Sequence, residues 1–282
     1  AGAGQLMAAE WNNNLCLIVG RGSFGTRLIQ EAGAPRYVYK TLHDNFRKYI
    51  KDIDLLPVYE DHEHDTPSHY LPFIPLVLVY GTKGIATGFA TNIIPRDPLS
   101  IIESCTEYLS KGKISKQPKV KFPDFKGTVE NGEEPNKYNI CGIYEKKGKT
   151  QLTITEVPYG FDREGYIKVL DKLEDDGDIV GYDDLCDKSG FCFEIKLKQN
   201  TSSLWNKAKI IHKFKLSKPV TENLTVIDHT GKLREYNDAR DLIKDFCDYR
   251  LGVLQKRIDL QVKNLTEKFR WLNIKMNFIQ AV

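Results

Sequence analysis

The sequence is short of several things, and each shortage removes a class of protein. No apolar run comes near the ~20 residues that a membrane-spanning helix requires. The first residues hold no charged stretch running into a long apolar one, so no secretory leader is read there. The six cysteines, at 16, 105, 141, 186, 192 and 247, form neither a Cys-x-x-Cys pair nor a regular framework. That speaks for reduced thiols in a cytoplasmic setting and against a disulfide scaffold. Cys186 and Cys192, close together in sequence, are read as packing residues. Charge of one sign is also scarce: 41 Lys+Arg against 38 Asp+Glu leave a net +3. A nucleic-acid surface must therefore come from local clustering.

What is present is enough for real cores. With 41% hydrophobic and 28% charged residues over 282, the chain is expected to fold as more than one unit. Both ends read as cut, the start because AGAGQLMAAEW looks like a helix without a clear cap, the finish because Ile279 to Val282 lies inside a helical pattern.

The most informative stretch is Gly20 to Lys40, GRGSFGTRLIQEAGAPRYVYK. Gly20, Gly22 and Gly25 let the backbone pass close to a bulky partner and adopt positive φ, as a loop against a phosphate backbone requires. Arg21 and Arg27 stand in the same loop, although glycine with arginine also describes many ordinary surface loops. Further on, Tyr37 follows Arg36. A phenol with a pKa of ~10 is a poor nucleophile at neutral pH. A neighbouring guanidinium favours the phenolate and can grip a phosphate. The plainer reading makes Tyr37 a half-buried aromatic whose hydroxyl finds a partner.

Along the chain, Gln5 to Trp11 predicts a helix stopped by Asn12 to Asn14, and Leu15 to Val19 is a short apolar run. Leu42, Phe46, Tyr49 and Ile50 have helical spacing over Thr41 to Ile50. Asp61 to Asp65, with His69 nearby, offers His and carboxylate ligands for zinc. Between Pro57 and Pro67 it reads more simply as a solvated acidic loop. In the stretch YLPFIPLVLVYGTKGIATGFATNIIPRDP, from Tyr70 to Pro98, Pro72 and Pro75 argue against a helix and Leu76 to Tyr80 is expected as a buried strand. Gly81, Gly84 and Gly88 frame Ile85, which is either a core residue or a wedge to push between base pairs.

Leu99 to Leu109 predicts a helix with Leu99, Ile102 and Cys105 on one face. Lys119 to Phe125 is expected as β, followed by an Asn131-Gly132 turn and a hairpin of Tyr138 to Tyr144 with Lys149 to Glu156. A helix over Asp162 to Leu173, a strand over Phe191 to Leu197 and a helix over Leu204 to Phe214 complete an α+β region. Finally, Cys247, Leu251, Leu254, Ile258, Leu265, Phe269, Leu272, Met276 and Ile279 follow three-and-four spacing with one slip, and Gln261 takes one seam position. That is a long helix suited to a coiled coil, and it implies a returning helix to cover it.

Ser23-Phe24-Gly25-Thr26-Arg27, Arg36-Tyr37, Gly84-Ile85 and Gly88-Phe89-Ala90-Thr91-Asn92-Ile93 together resemble the breakage-and-rejoining subunit of type IIA DNA topoisomerases. The likeness continues through Ile154 to Gly160 and Glu222 to Tyr236 into Asp248 to Arg257, almost the whole chain. Within the family it is most similar to the T-even bacteriophage type, where DNA cleavage and ATPase/metal binding reside on separate polypeptides.

The resemblance implies an α+β fold with a winged-helix remnant over 1–70, an α+β tower over 71–238 and the start of a long coiled-coil helix over 239–282. It implies that Tyr37 attacks a DNA phosphodiester and becomes linked to a 5′ phosphate while Arg36 stabilises charge there. Arg21, Arg27 and Lys83 would hold DNA, and Ile85 would be the wedge. It also implies a homodimer on double-stranded DNA, and a partner subunit that brings ATP and Mg²⁺, since no metal centre is read in this chain.

The segment between Arg27 and Arg36 is shorter than in cellular relatives and lacks their lysine, and Tyr80 stands where they generally have asparagine. The family's upstream histidine motif is absent from this sequence. A different class of protein, a non-enzymatic DNA-bending scaffold dimerised by its coiled coil, would share the wedge and the helix but form no covalent link.

Overall fold

The computed structural model describes residues 2–59, 66–148, 150–198 and 205–281. Helices and strands are interspersed along the chain, as the α+β reading expects. The short apolar run after Asn14 feeds β1 (Ile18–Arg21), which pairs antiparallel with β2 (Tyr39–Leu42) from Ile18↔Leu42 to Arg21↔Tyr39. Helix α1 (Gly2–Ala8) packs against this pair. The helix expected over Thr41 to Ile50 is reduced to the single turn α2 (Phe46–Tyr49), because Thr41 and Leu42 are held in the strand ladder. A two-residue pair, β3 (Val58–Tyr59) with β4 (Thr66–Pro67), follows.

Leu76 to Tyr80 is helix α3 and not the expected strand. Pro75 is its N-cap residue, where a missing N–H costs nothing, so the proline introduces the helix instead of forbidding it. Leu78 and Val79 are wholly buried there. A hairpin of β5 (Thr82–Ala86) and β6 (Phe89–Ile93) comes next, turning at Thr87 and Gly88, with Gly88 at φ 80° as such a turn requires. Helix α4 (Pro98–Lys111) turns Ile101, Ser104 and Cys105 inward. Leu99 and Ile102, expected on the buried face with Cys105, point outward instead.

Lys119 to Phe125 forms no strand, only an isolated bridge between Arg96 and Val120. The strands proper are β7 (Thr128–Asn131), β8 (Lys137–Cys141), β9 (Ile143–Lys147), β10 (Gln151–Glu156), β11 (Ile179–Asp184), β12 (Phe193–Leu197) and β13 (Ser217–Thr221). They build a four-stranded sheet β11-β12-β10-β9 and a three-stranded sheet β13-β8-β7, both antiparallel. The span Tyr138 to Tyr144, read as one strand, is divided between the two sheets at Gly142. A Cβ there would stand 2.4 Å from the Glu156 carbonyl oxygen, so only glycine lets the chain cross so close.

Helix α5 (Arg163–Asp175) starts where the Asp162 carboxylate accepts from the Gly165 N–H, and it buries Tyr166, Leu170 and Leu173. Helix α6 (Lys207–Lys213) is capped by Asn206 in the same way. These side chains meet Leu152, Ile154, Phe193, Ile195 and Phe214 in the larger core.

A second core joins Leu78, Val79 and Ile101 to Leu224 of β14 (Leu224–Ile227), whose hairpin partner is β15 (Leu233–Tyr236), and to Leu242 and Ile243 of α7 (Ala239–Ala281). This last helix has 43 residues and is about 65 Å long at 1.5 Å per residue. Its first turns are buried through Leu242, Ile243, Cys247 and Val253. Further along, Leu265, Phe269, Leu272, Met276 and Ile279 are 53–74% exposed, an apolar stripe facing outward.

Asp52, at φ 63°, binds this helix to the N-terminal region: its carboxylate takes Arg250 Nη2 at 3.1 Å and Arg257 Nε at 2.8 Å. The six cysteines are free thiols, and the Cys192 N–H donates to Cys186 Sγ at 3.3 Å beside the larger core. Among the described residues no helix is long and apolar enough to cross a membrane.

Candidate functional site

Tyr37 ends a three-residue 3-10 turn, Pro35–Tyr37, closed by its N–H donating to the Ala34 carbonyl at 2.9 Å. The next residue, Val38, is buried and is the anchor of the site. It sits on Gly22, which has φ 121° and where a Cβ would meet Val38 Cγ1 at 2.9 Å. Gly20 is likewise covered by the ring of Phe24, 2.3 Å from where a Cβ would be. The bulky partners that these glycines admit are thus the protein's own side chains. With Val38 driven inward, Tyr37 faces out at 71% exposure and is not the half-buried aromatic of the plainer reading. The Arg36 guanidinium lies 5.1 Å from the centre of the Tyr37 ring, so its charge sits over the face of the ring. Arg21 is exposed at the end of β1, opposite Tyr39, which is itself 74% exposed.

Arg27 is in a different place from the other cations. It is 4% exposed, donates to the Phe161 carbonyl and, at 3.4 Å, to that of Val157, and lies 3.7 Å from Glu156. Its guanidinium is 5.0 Å from the ring centres of both Tyr159 and Phe191. The expectation that it grips a DNA phosphate is corrected by this placement: Arg27 fastens the glycine loop to the larger core. Burial pulls its pKa down and pushes that of Glu156 up, against their mutual attraction.

Ile85 is 87% exposed on the β5–β6 hairpin, so it fills no core of this chain. Lys83, two residues before it on β5, shares its face and is exposed. The hairpin borders a groove of about 1110 Å³ lined mainly by apolar groups, among them Ile85, Phe89, Ile93, Ile227 and Phe246. Arg36 and Tyr37 are not among its lining residues. On one wall His69 Nε2 is 2.8 Å from the Tyr249 hydroxyl and the His229 ring stacks on Tyr249 at 3.9 Å. Burial and His229 lower the pKa of His69.

The other members of the acidic-histidine stretch, Asp61 to Asp65, lie outside the described residues. Among the described residues no three His, Cys, Asp or Glu side chains converge as metal ligands. Three features escaped the sequence reading: Tyr39, the Asp52 link to the long helix, and a buried pair between Arg96 and Glu222. Tyr39 alone carried a local signal, the alternation of the short strand after Val38.

The family model for the A-type subunits of DNA gyrase/topoisomerase IV matches residues 5–282, and the chain belongs to that family. Among individual proteins it is 43% identical to the DNA topoisomerase medium subunit of Enterobacteria phage T4, over 99% of this chain and 64% of the relative. It is 30% identical to DNA topoisomerase 2 of Arabidopsis thaliana, over 96% of this chain and 19% of that protein. The crystal structure of the Plasmodium falciparum topoisomerase II DNA-binding, cleavage and re-ligation domain matches with a TM-score of 0.86 at 27% identity, covering 94% of this chain and 38% of that one. The chain therefore spans less than two thirds of each of these relatives.

Proposed function

We propose that this chain is the DNA breakage-and-reunion core of a type II topoisomerase and that Tyr37 is its nucleophile. The observation that carries the assignment is the outward-facing Tyr37 hydroxyl on a turn fixed by the buried Val38, with the Arg36 guanidinium against its ring. In the reaction the phenolic oxygen loses its proton and forms a bond to a DNA phosphorus. The bond from that phosphorus to the 3′ oxygen breaks, and the departing strand end takes up a proton. The phosphotyrosyl ester keeps the energy of the broken bond, so attack by the 3′ hydroxyl reseals the strand.

Arg36, with its guanidinium against the Tyr37 ring, balances the charge that develops on the phosphate. Arg21 and Lys83 are exposed and take backbone phosphates, whereas Arg27 does not. Ile85 is the wedge that bends the cut segment.

One tyrosine opens one strand. A double-strand gate therefore takes two copies of the chain, with residues 1–70 in the winged-helix region, 71–238 as the tower and the long helix in the coiled coil. ATP and Mg²⁺ belong to a separate polypeptide; the described residues offer no acidic cluster fit for the cation, and no step above depends on it.

The test uses the full-length protein in complex with its partner. Tyr37→Phe should bind DNA as the parent does and leave no protein-linked 5′ ends after a denaturing quench. Linked ends in that variant would remove Tyr37 from the role. If the unaltered protein bends DNA but forms no linked ends with partner, ATP and Mg²⁺ supplied, it is a bending scaffold and not an enzyme.

A further inference from the structure

We propose that the buried Arg96–Glu222 ion pair is a clamp that keeps the Ile85 hairpin rigid, and that both residues position the hairpin for bending DNA. The proposal rests on the reading of Ile85 as a wedge. The root of the hairpin is fastened at alternate residues. The Asn92 N–H donates to the Asn223 carbonyl and the Asn223 N–H to that of Asn92, each at 3.0 Å, and Asn92 Nδ2 donates to the Thr221 carbonyl at 2.5 Å. Two residues on, the Ile94 N–H donates to Glu222 Oε1 at 3.0 Å. Two further, Arg96 meets the same carboxylate with both arms, Nη1 to Oε1 at 2.7 Å and Nη2 to Oε2 at 2.6 Å, while Nη1 also reaches the Ile94 carbonyl at 2.9 Å. Each side chain of the pair is 1% exposed.

The segment that is gripped is itself fixed on both sides. Thr221 ends β13 and is paired with Lys137 of β8, and the Glu222 N–H donates to the Asn136 carbonyl at 2.7 Å. Leu224 opens the β14–β15 hairpin and is buried in the core that holds the long helix. Force on the tip at Ile85 is thus passed to a sheet and to a packed helix.

A side chain pushed between base pairs is pushed back by the stack, and a hairpin held only by its own ladder would give way. A bidentate guanidinium–carboxylate pair fixes direction as well as distance. Apolar residues of the same volume often stabilise an interior equally well, so a pair this deep, at the root of an exposed tip, is better explained by stiffness than by stability.

The test uses the full-length protein in complex with its partner and a duplex carrying a fluorophore at each end, with bending read by energy transfer, affinity by anisotropy and folding by thermal denaturation. Arg96→Met with Glu222→Leu removes both charges at similar volume. Its bent fraction should fall about fivefold, within the range for a coupling residue that touches no ligand. Affinity should stay near that of the parent, because phosphate contacts dominate binding, and the melting temperature should fall by only a few degrees, since the buried Ile94 N–H loses its acceptor.

Parental bending in this folded double variant overturns the clamp. Should it not fold, Arg96→Lys keeps both charges and loses the two-armed grip; it should bend less than the parent, and parental bending there overturns the clamp equally. Ile85→Ala is the control. Reduced bending by Ile85→Ala with none lost by the pair variants rejects the clamp alone, while full bending by Ile85→Ala rejects the wedge and the clamp together.

Discussion

Arg27 and Arg21 lie in one loop of the sequence, and replacing them should have opposite consequences. Arg27 is 5% exposed at its side chain and Glu156 3%, with 3.7 Å between them. Arg27→Met leaves a buried carboxylate without its cation, a loss of about 3–5 kcal/mol. Glu156 still accepts from the Lys126 N–H at 3.1 Å and the Val157 N–H at 3.0 Å, which places the cost toward the lower end, about 3 kcal/mol. At about 2–4 °C per kcal/mol for a chain of this size, the melting temperature should drop by roughly 6–12 °C.

The loss should depend on pH. Burial raises the Glu156 pKa above its unfolded value, so its contribution to stability is full below the unfolded pKa and lost as pH rises through the folded one. Without Arg27 the folded pKa rises further, so the deficit should be greater at neutral pH and should shrink as the carboxyl is protonated. In DNA binding, a plot of log affinity against log salt should keep the parental slope for Arg27→Met. It should become shallower by about 0.9 for Arg21→Ala, the value of one phosphate contact, with stability changed by no more than about 0.5 kcal/mol. A shallower slope for Arg27→Met at an unchanged melting temperature would refute this division of labour.

Two other substitutions test the supports of the site. Gly22→Ala places a Cβ 2.9 Å from Val38 Cγ1 at φ 121° and should cost about 1–3 kcal/mol. It should lower the yield of covalent complex more than DNA affinity; equal loss of both would mean that the turn at Tyr37 does not depend on Val38. Phe269→Glu alters a side chain that is 65% exposed on the long helix and should leave helicity unchanged by circular dichroism. If the apolar stripe is covered by a second helix, sedimentation should show weaker self-association, and unchanged association would place the contact elsewhere.

The family, the α+β mixture and the terminal helix were all legible in the sequence, because each depends on a local motif or a long period. What the sequence did not yield depends on distant partners. Arg21 and Arg27 look alike in a glycine loop, and only Glu156, Val157 and Phe161, some 130 residues away, make one of them structural. Leu76 to Tyr80 reads as a strand in the sequence because five apolar residues have no period, and the meaning of Pro75 turns on which side of the helix start it falls. The break at Gly142 follows from the approach of the Glu156 carbonyl, which no neighbour in sequence announces. The exposure of Ile85 also needed the structure, since an isoleucine between glycines suits a core and a hairpin tip equally well.

Asp52 holds Arg250 and Arg257, two turns apart on one helix, and so fixes the direction of that helix as well as its position. From Arg257 to Ala281 the helix runs on for about 36 Å. A tilt of about 10° at the Asp52 contact would carry the far end sideways by roughly 6 Å, more than one helical pitch. A single carboxylate near the foot of the helix thus sets where a lever several times its own reach comes to point.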